Sequence, residues 1–390
     1  MALFLDNDMQ QKCITFAEAI DAMENGVRQM AAGDGLRRPR IDHFMPTSRK
    51  DEFLCFSTME GGIRSPGYYA LRIKPDIKSW HKVDGKVRRE TWCARPGKFG
   101  GLVFLFDVET AEMLSIMNDG IIQHVRVAAT AALNAKYLSR ADAKTVGMIG
   151  SGGMARSHAE AYCAIRDIKT IKVFSMKKAN RENYAAEMSA KLGVQVIAVD
   201  DPREAVRGAD IVACCTNSQQ PVLKGDWLEP GTHIDYVTQW ELGKDLLERI
   251  DTVGVLVERT IPSIAGYIDD GFGIRMGVMS YAAGTPEELK AIPTSSWDAH
   301  GLKDRTNRYP HARYVACCDW AANKPYPRNR EEITIGVNQS LGVREGDMGP
   351  SAGLQGIQFA SVGGRIFENA KKLGLGHVLP PEMFLQDLRT

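Results

Sequence analysis

The stretch TVGMIGSGGMARSHAEAY, residues 145–162, passes from apolar residues through a glycine turn into a run of good helix formers. A glycine turn between a strand and a helix lets the backbone approach a pyrophosphate closely, and the helix start supplies free N–H groups and a favourable dipole. Gly150, Gly152 and Ala155 form the pattern GxGxxA, a variant of the dinucleotide fingerprint. A simple tight turn is the alternative, but further strand and helix units follow and favour a dinucleotide.

The predicted dinucleotide site combines this turn with the ends of later strands, because ligands of doubly wound sheets lie at the carboxyl ends of the strands. The residues predicted to bind the cofactor are Gly150, Ser151, Gly152, Gly153, Met154, Ser175, Lys177, Lys178, Arg181, Thr216, Asn217 and Ser218.

Selectivity between the two nicotinamide cofactors depends on the end of the second strand, where an Asp or Glu would bind the ribose hydroxyls of NAD. This chain has Ser175 there, followed by Lys177, Lys178 and Arg181. A carboxylate would repel a 2′-phosphate, whereas a hydroxyl and nearby cations would bind it through charge-assisted hydrogen bonds. The sequence therefore favours NADP(H), with NAD(H) as the alternative; the same cations are also typical of a solvated helix start.

The elements around the turn alternate as in a parallel sheet with crossover helices. The predicted strands are residues 145–150, 171–175, 194–199, 210–216, 233–237 and 252–257, and the predicted helices between them are 154–165, 180–192 and 202–208. This order predicts an α/β fold with a Rossmann-type doubly wound parallel sheet.

The flanking segments have a different pattern. Predicted helices lie at 16–32, behind the N-cap Thr15 and before Gly33, at 124–138 and at 354–374, and predicted strands at 52–59, 68–74 and 101–108. We expect residues 1–125 and 330–390 to form one α+β domain for substrate binding and dimerisation, with the Rossmann domain, 126–329, inserted in it. Two basic regions, 64–98 and about 266–327, are predicted to be less regular, and the first could be a lid or a solvated excursion.

Bulk composition limits the partners. Forty-nine Lys and Arg residues against 48 Asp and Glu leave a net charge of +1, which predicts binding neither to nucleic acid nor to a membrane surface. The N-terminal residues suit neither a signal peptide nor a transit peptide, and no apolar run is long enough to span a bilayer. The eight cysteines show no zinc spacing, so we expect reduced thiols, no metal site and a cytoplasmic location.

Two segments, 101–161 and 204–234, resemble the ornithine cyclodeaminase and mu-crystallin family. The specific combination is a strand with FD and an acidic turn, a helix with R-x-A-A, and the strand of the glycine turn. The resemblance implies a homodimer built through the split domain, with the active site in the cleft between that domain and the Rossmann domain.

The substrate site of such a protein needs cations, because a guanidinium grips the carboxylate of an amino or keto acid with two hydrogen bonds. The resemblance assigns this role to Arg126, Arg40 and Arg72. The last is a departure, since the family has a lysine there, and an arginine effectively cannot give up a proton. Surface ion pairs are the alternative roles.

A second departure lies at Trp240, where the resemblance places the aspartate that handles the substrate amine in cyclodeaminases. An indole cannot accept that proton, so cyclodeamination is disfavoured unless the neighbouring Glu241 has taken over. A packing role is the alternative for Trp240. Arg72, Arg126 and Trp240 are therefore the residues expected to decide the reaction, with His43 and Tyr69 as speculative proton donors.

The leading functional hypothesis is an NADPH-dependent reductase of an imine, or of a keto acid with an amine, whose substrate carries a carboxylate. In reverse it would be an amino-acid dehydrogenase. A cyclodeaminase-like, ammonia-eliminating lyase and an NADPH-binding, crystallin-like protein with little catalysis remain the alternatives.

Overall fold

The computed structural model describes residues 2–83, 86–257, 279–281, 309, 311–316, 330–340 and 354–387. The chain forms two compact units. The first comprises Met1–Arg126, Arg259–Ile292 and Val343–Thr390, and the second comprises Val127–Glu258 and Pro293–Gly342.

The described strands and helices are numbered in chain order. The strands are β1 (Ala2–Leu5), β2 (Gly35–Pro46), β3 (Glu52–Ile63), β4 (Tyr68–Val83), β5 (Lys86–Trp92), β6 (Leu102–Asp107), β7 (Met113–Asn118), β8 (Thr145–Ile149), β9 (Thr170–Phe174), β10 (Gln195–Ala198), β11 (Ile211–Cys214), β12 (His233–Tyr236), β13 (Thr252–Val257), β14 (Met279–Tyr281), β15 (Arg313–Ala316), β16 (Thr334–Ser340) and β17 (His377–Leu379). The α-helices are α1 (Asn7–Lys12), α2 (Phe16–Ala32), α3 (Asp119–Leu138), α4 (Gly153–Ile165), α5 (Lys178–Leu192), α6 (Pro202–Val206), α7 (Lys244–Leu247) and α8 (Gln355–Leu373), and short 3₁₀ turns lie at Gly225–Trp227, Gln239–Glu241 and Pro381–Met383.

The first unit is built on a largely antiparallel sheet with the order β14-β2-β3-β4-β6-β7-β1-β17, and β5 pairs with β4. Helix α8 packs across β2, β3 and β4 and against α2. The α2 residues Ile20, Met23, Val27 and Met30 are buried at helical spacing, so this helix closes the core from one side.

Helix α2 begins and ends as the sequence predicts. Thr15 and Glu18 form a reciprocal capping box, and Gly33 ends the helix in the left-handed region with φ of 89°. The side chain of Glu18 also accepts a hydrogen bond from Asn369 of α8 at 2.9 Å. The local cap therefore also ties together two helices that are far apart in the sequence.

The basic segment 64–98 is more regular than expected from the sequence, because most of it forms β4 and β5, an antiparallel pair. Charged residues alternate along β4 with apolar ones, and the many cations obscure this strand period. Pro75 is tolerated because it lies in a gap between two partners along one edge of β4: β6 pairs there up to Ile73, and β5 pairs from Ile77. The expectation of irregular structure there was wrong.

The second unit contains a parallel sheet with the order β10-β9-β8-β11-β12-β16-β13-β15. The six strands expected from the sequence are β8 to β13, so the Rossmann-type prediction is confirmed. Strand β16 was not predicted, yet it lies between β12 and β13 and pairs in parallel with both. The region 266–327 lies mostly outside the described residues; the parts that are described include β14 and β15. Among the described helices, none is long and apolar enough to cross a membrane.

Candidate functional site

The glycine turn joins β8 to α4 as its sequence predicts. Gly150 has φ of 113°, and a Cβ atom there would lie 2.3 Å from the carbonyl oxygen of Cys215. Only glycine fits this position, because a side chain would collide with backbone and strain the left-handed conformation. The turn and the loop after β11 are therefore in direct contact.

Gly152 differs from Gly150, because it is the N-cap of α4 with φ of −82°, and no atom of the described residues lies within 4 Å of an added Cβ. Within the described part of the chain no side chain caps this helix, which leaves its first N–H groups open to a ligand. Ser151, Gly153 and Met154 belong to the same helix start, and the buried Ala155 packs α4 closely onto the sheet. The arrangement has the geometry of an anion site.

The residues after β9 divide into two groups. Lys177 and Lys178 are exposed at the start of α5. The buried Arg181 instead donates to the carbonyl oxygen of Ser175 at 2.9 Å and pairs with Asp200 after β10. Its guanidinium therefore ties two strand ends together, and the two lysines remain as the exposed cations beside Ser175.

Thr216, Asn217 and Ser218 follow β11 at the same edge of the sheet. The Thr216 methyl carbon lies 3.4 Å from the Cβ position of Gly150, and the backbone N–H of Ser218 donates to the Thr216 hydroxyl at 3.2 Å. The structure thus brings the predicted residues of the glycine turn and of this loop together at the carboxyl ends of β8 and β11.

The first unit holds two buried guanidinium groups beside one aromatic ring. Arg72 of β4 makes a two-point ion pair with Asp119 of α3, with an Nε to Oδ1 distance of 2.8 Å. Arg126, two turns along α3, donates to Gln358 at 2.8 Å and to Gln123. The guanidinium carbons of Arg72 and Arg126 lie 5.5 and 5.0 Å from the centre of the Phe359 ring.

The described charged groups of this cluster are the cations Arg72 and Arg126 and the carboxylate Asp119. Burial, then the neighbouring Arg72 cation, lowers the pKa of Arg126 to about 9 even though Asp119 acts in the opposite direction. A guanidinium whose charged form is disfavoured in this way is stabilised by an added anion. The cluster is therefore suited to a carboxylate ligand, for which Arg126 offers a planar donor group.

Arg40 lies in the same unit, on β2. Its Nε donates to Asp42 at 2.7 Å and its Nη2 to the Ser57 hydroxyl at 3.1 Å. Its cation also acts on Arg126. The three arginines selected from the sequence therefore belong to one electrostatic group, and Arg40 and Arg72 each pair with a carboxylate of the chain.

The speculative proton donors His43 and Tyr69 do not share a sheet face with this cluster. Met59 pairs with Arg72, and Ser57 pairs with Asp42, so these side chains lie on one face. His43 follows Asp42 directly, and Tyr69 is three residues from Arg72, so strand alternation places both on the opposite face. Register is not readable from the sequence alone, and neither residue lies on the sheet face that carries Arg72.

Trp240 lies half-buried on the 3₁₀ turn after β12, next to the fully buried Glu241. Both carboxylate oxygens of Glu241 accept hydrogen bonds from the chain itself: two from Thr216, one from Val237 and one from Thr238. A saturated, buried carboxylate is not presented to a substrate amine, so Glu241 does not replace the aspartate of a cyclodeaminase.

Known proteins share this arrangement of elements. The model of the ornithine cyclodeaminase/mu-crystallin family matches residues 91–260. A Δ1-pyrroline-2-carboxylate reductase of Bacillus cereus is 31% identical over 60% of this chain and 67% of its own length. A putative dehydrogenase of Rhizobium meliloti is 37% identical over 43% of this chain and 47% of its own length, so the chain spans about half to two thirds of these relatives.

Among solved structures, the Thermococcus litoralis Δ1-pyrroline-2-carboxylate reductase in complex with NADH and L-proline matches with a TM-score of 0.68. It is 22% identical, and the match covers 97% of this chain and 100% of that one, which shows a shared fold. The chain belongs to the ornithine cyclodeaminase/mu-crystallin family, and the resemblance inferred from its motifs is confirmed.

The difference between the two glycines gives a test of the turn. Gly152→Ala adds a methyl group in open space at allowed φ, so the folded protein should keep its thermal stability. If the turn holds a pyrophosphate, that methyl blocks the approach and weakens NADPH binding by at least about tenfold. Gly150→Ala should instead lower the melting temperature. Calorimetry and NADPH fluorescence titration measure both effects, and unchanged NADPH affinity in Gly152→Ala would contradict the assignment.

Glu241 gives a pH-dependent stability. Burial raises the pKa of its carboxyl from an ordinary 4.5 to about 7, although its hydrogen bonds favour the ionised form. The folded state therefore binds a proton that the unfolded state releases, and between these pH values wild-type stability falls as pH rises. Relative to Glu241→Gln, which does not titrate, the decrease in the free energy of unfolding reaches at most about 1.4 kcal/mol per pH unit. Urea unfolding of both proteins from about pH 4 to about pH 8 measures this difference. The prediction is contradicted if the free energies of unfolding of wild type and Glu241→Gln change with pH in parallel.

Proposed function

We propose that the protein is an NAD(P)H-dependent reductase of a C=N bond in a small substrate that carries a carboxylate, or the reverse amino-acid dehydrogenase. The observation that carries the proposal is the buried cluster of Arg72, Arg126 and Asp119 against Phe359. A reductase of this kind also needs to bind a dinucleotide, and the start of α4 at the glycine turn has the geometry to hold its pyrophosphate. Relatives named as Δ1-pyrroline-2-carboxylate reductases support the same chemistry.

The proposed roles follow from the contacts. Arg126 grips the substrate carboxylate, and Arg72, oriented by Asp119, adds positive charge and rigidity, while Arg40 contributes at longer range. The first unit would be the substrate-binding and dimerisation domain of a cytoplasmic homodimer. With these roles, the first unit would bind the amino or imino acid substrate.

In the second unit, the start of α4 would hold the pyrophosphate, with Thr216, Asn217 and Ser218 along the neighbouring loop. Lys177 and Lys178 would hold a 2′-phosphate beside Ser175, which supports a preference for NADP(H) over NAD(H). When bound, the nicotinamide supplies the hydride for the C=N carbon. Trp240 would provide a flat apolar wall, which excludes water but accepts no proton.

The reaction is tested with purified protein, NADPH and a panel of cyclic imino acids and of keto acid plus amine pairs. We expect stoichiometric NADPH oxidation and no ammonia release, because Glu241 and Trp240 cannot serve a cyclodeaminase. Arg126→Lys should lower kcat/KM by about 100-fold by losing two-point carboxylate binding, with NADPH affinity unchanged. Arg28→Lys, at an exposed arginine that pairs with Glu24 on α2, is the control.

Three results would overturn this proposal. Catalytic cofactor use with ammonia release would indicate a lyase, tight NADPH binding without any turnover would indicate a binding protein, and full activity of Arg126→Lys would remove its role in carboxylate binding.

Cofactor preference is tested by Ser175→Asp. A carboxylate there repels a 2′-phosphate and accepts hydrogen bonds from ribose hydroxyls, so the ratio of NADPH to NADH affinity should fall by about 10- to 100-fold. Asn183→Asp, exposed on the helix that follows, adds an equal charge away from this position and should leave the ratio unchanged. If the ratio of NADPH to NADH affinity is the same in wild type and Ser175→Asp, this position does not contribute to recognition of the 2′-phosphate.

A further inference from the structure

The carboxyl ends of β11 and β12 leave backbone donors beyond the regular ladder. The two strands run in parallel and end together, with Cys214 opposite Tyr236. The next N–H groups, including those of Thr216 and Thr238, project beyond the last paired residues of these two strands. Buried N–H groups need acceptors, so these two loops require one from elsewhere in the chain.

Glu241 supplies that acceptor to both loops at once. Its Oε1 accepts from the backbone N–H of Thr216 at 2.6 Å and from the Thr216 hydroxyl at 2.8 Å. Its Oε2 accepts from the N–H groups of Val237 and Thr238 at 3.0 and 2.8 Å. Its carbonyl oxygen accepts from Val222 at 2.9 Å, so a third segment is joined to the same residue.

The Glu241 carboxylate lies directly behind the predicted cofactor edge. It holds Thr216, Thr216 contacts the Gly150 turn, and Cys215 packs its carbonyl oxygen against Gly150. On the other side, Glu241 adjoins Trp240 in the same 3₁₀ turn. Displacement of this carboxylate would therefore move the loop of Thr216 and the loop of Trp240 together.

We propose that Glu241 is a positioning residue of the dinucleotide site, which sets the distance between the loops after β11 and β12 without touching the ligand. The inference rests on the proposed function, because it needs a nicotinamide dinucleotide at this edge. It gives the buried side chain a function at a position where desolvation is unfavourable: its two oxygens accept from four donors, whereas a glutamine of equal size has only one acceptor oxygen.

Glu241→Gln tests the proposal, since it keeps the shape of the side chain but replaces one acceptor oxygen by an NH₂ group. That NH₂ group would face the N–H donors of one of the two loops, so the hydrogen bonds that hold this loop should be lost. We expect the dissociation constant of NADPH to rise by at least about tenfold, and its KM to rise by a larger factor than kcat falls. Amide hydrogen exchange should become faster at Thr216, Val237 and Thr238. Glu241→Asp keeps both acceptors on a shorter stem and should show an intermediate loss, which provides a folded variant if the glutamine variant is unstable.

Asp210→Asn is the matched control. Asp210 also accepts two backbone hydrogen bonds, from Lys144 at 2.7 Å and Thr145 at 2.9 Å, but at the amino ends of β8 and β11 in the same sheet. It should lose stability without a change in NADPH affinity per folded molecule.

Two outcomes would overturn the inference, and they are distinguishable. If wild-type protein binds neither NADPH nor NADH, the proposed function fails and this role fails with it. If wild type binds NADPH and the Glu241 variants bind it equally well after correction for folded fraction, as Asp210→Asn does, Glu241 is a structural residue only and the proposed function stands.

Discussion

Close backbone contact at the carboxyl edge of the parallel sheet is the constraint on which the second unit depends. The space between Gly150 and the carbonyl oxygen of Cys215 admits no side chain, so the turn after β8 and the loop after β11 are held at a fixed separation. Helix α4 then starts beside the loop of Thr216, and no side chain among the described residues caps its first N–H groups. An anion site of this kind depends on backbone shape more than on any charged side chain.

In the first unit the main constraint is the burial of charged side chains. Arg72 and Arg126 are removed from water beside one aromatic ring, with Asp119 as the carboxylate bound to Arg72. A buried cation is unfavourable unless it is paired, so the pair with Asp119 stabilises Arg72. Burial also lowers the pKa of Arg126 to about 9, so an anion placed beside it would favour its charged form. Arginine suits position 72, because its guanidinium makes a two-point pair with Asp119.

Charge also decides how strand ends of the parallel sheet are held. Glu241 and Arg181 are both buried, and both join strand ends of this sheet. Glu241 does so by accepting backbone hydrogen bonds, and Arg181 by donating to a carbonyl oxygen and to Asp200. From the sequence, Arg181 was expected at the cofactor and Glu241 was considered for the reaction. Their contacts in the structure are with the chain itself, which a pattern of charged residues near a turn could not distinguish.

The sequence by itself determined the alternation of β8 to β13 with their helices, the cap at Thr15, the end at Gly33 and the glycine turn, because periodicity, capping and φ preference act over a few neighbouring residues. It also located the cationic residues. Only the tertiary structure decided their partners: Arg72 meets Asp119 from 47 positions away, β16 enters the sheet between β12 and β13, and strand register places His43 and Tyr69 on the face away from the arginines. Such pairings depend on packing between distant segments, and a one-residue change of register reverses the face of every side chain in a strand.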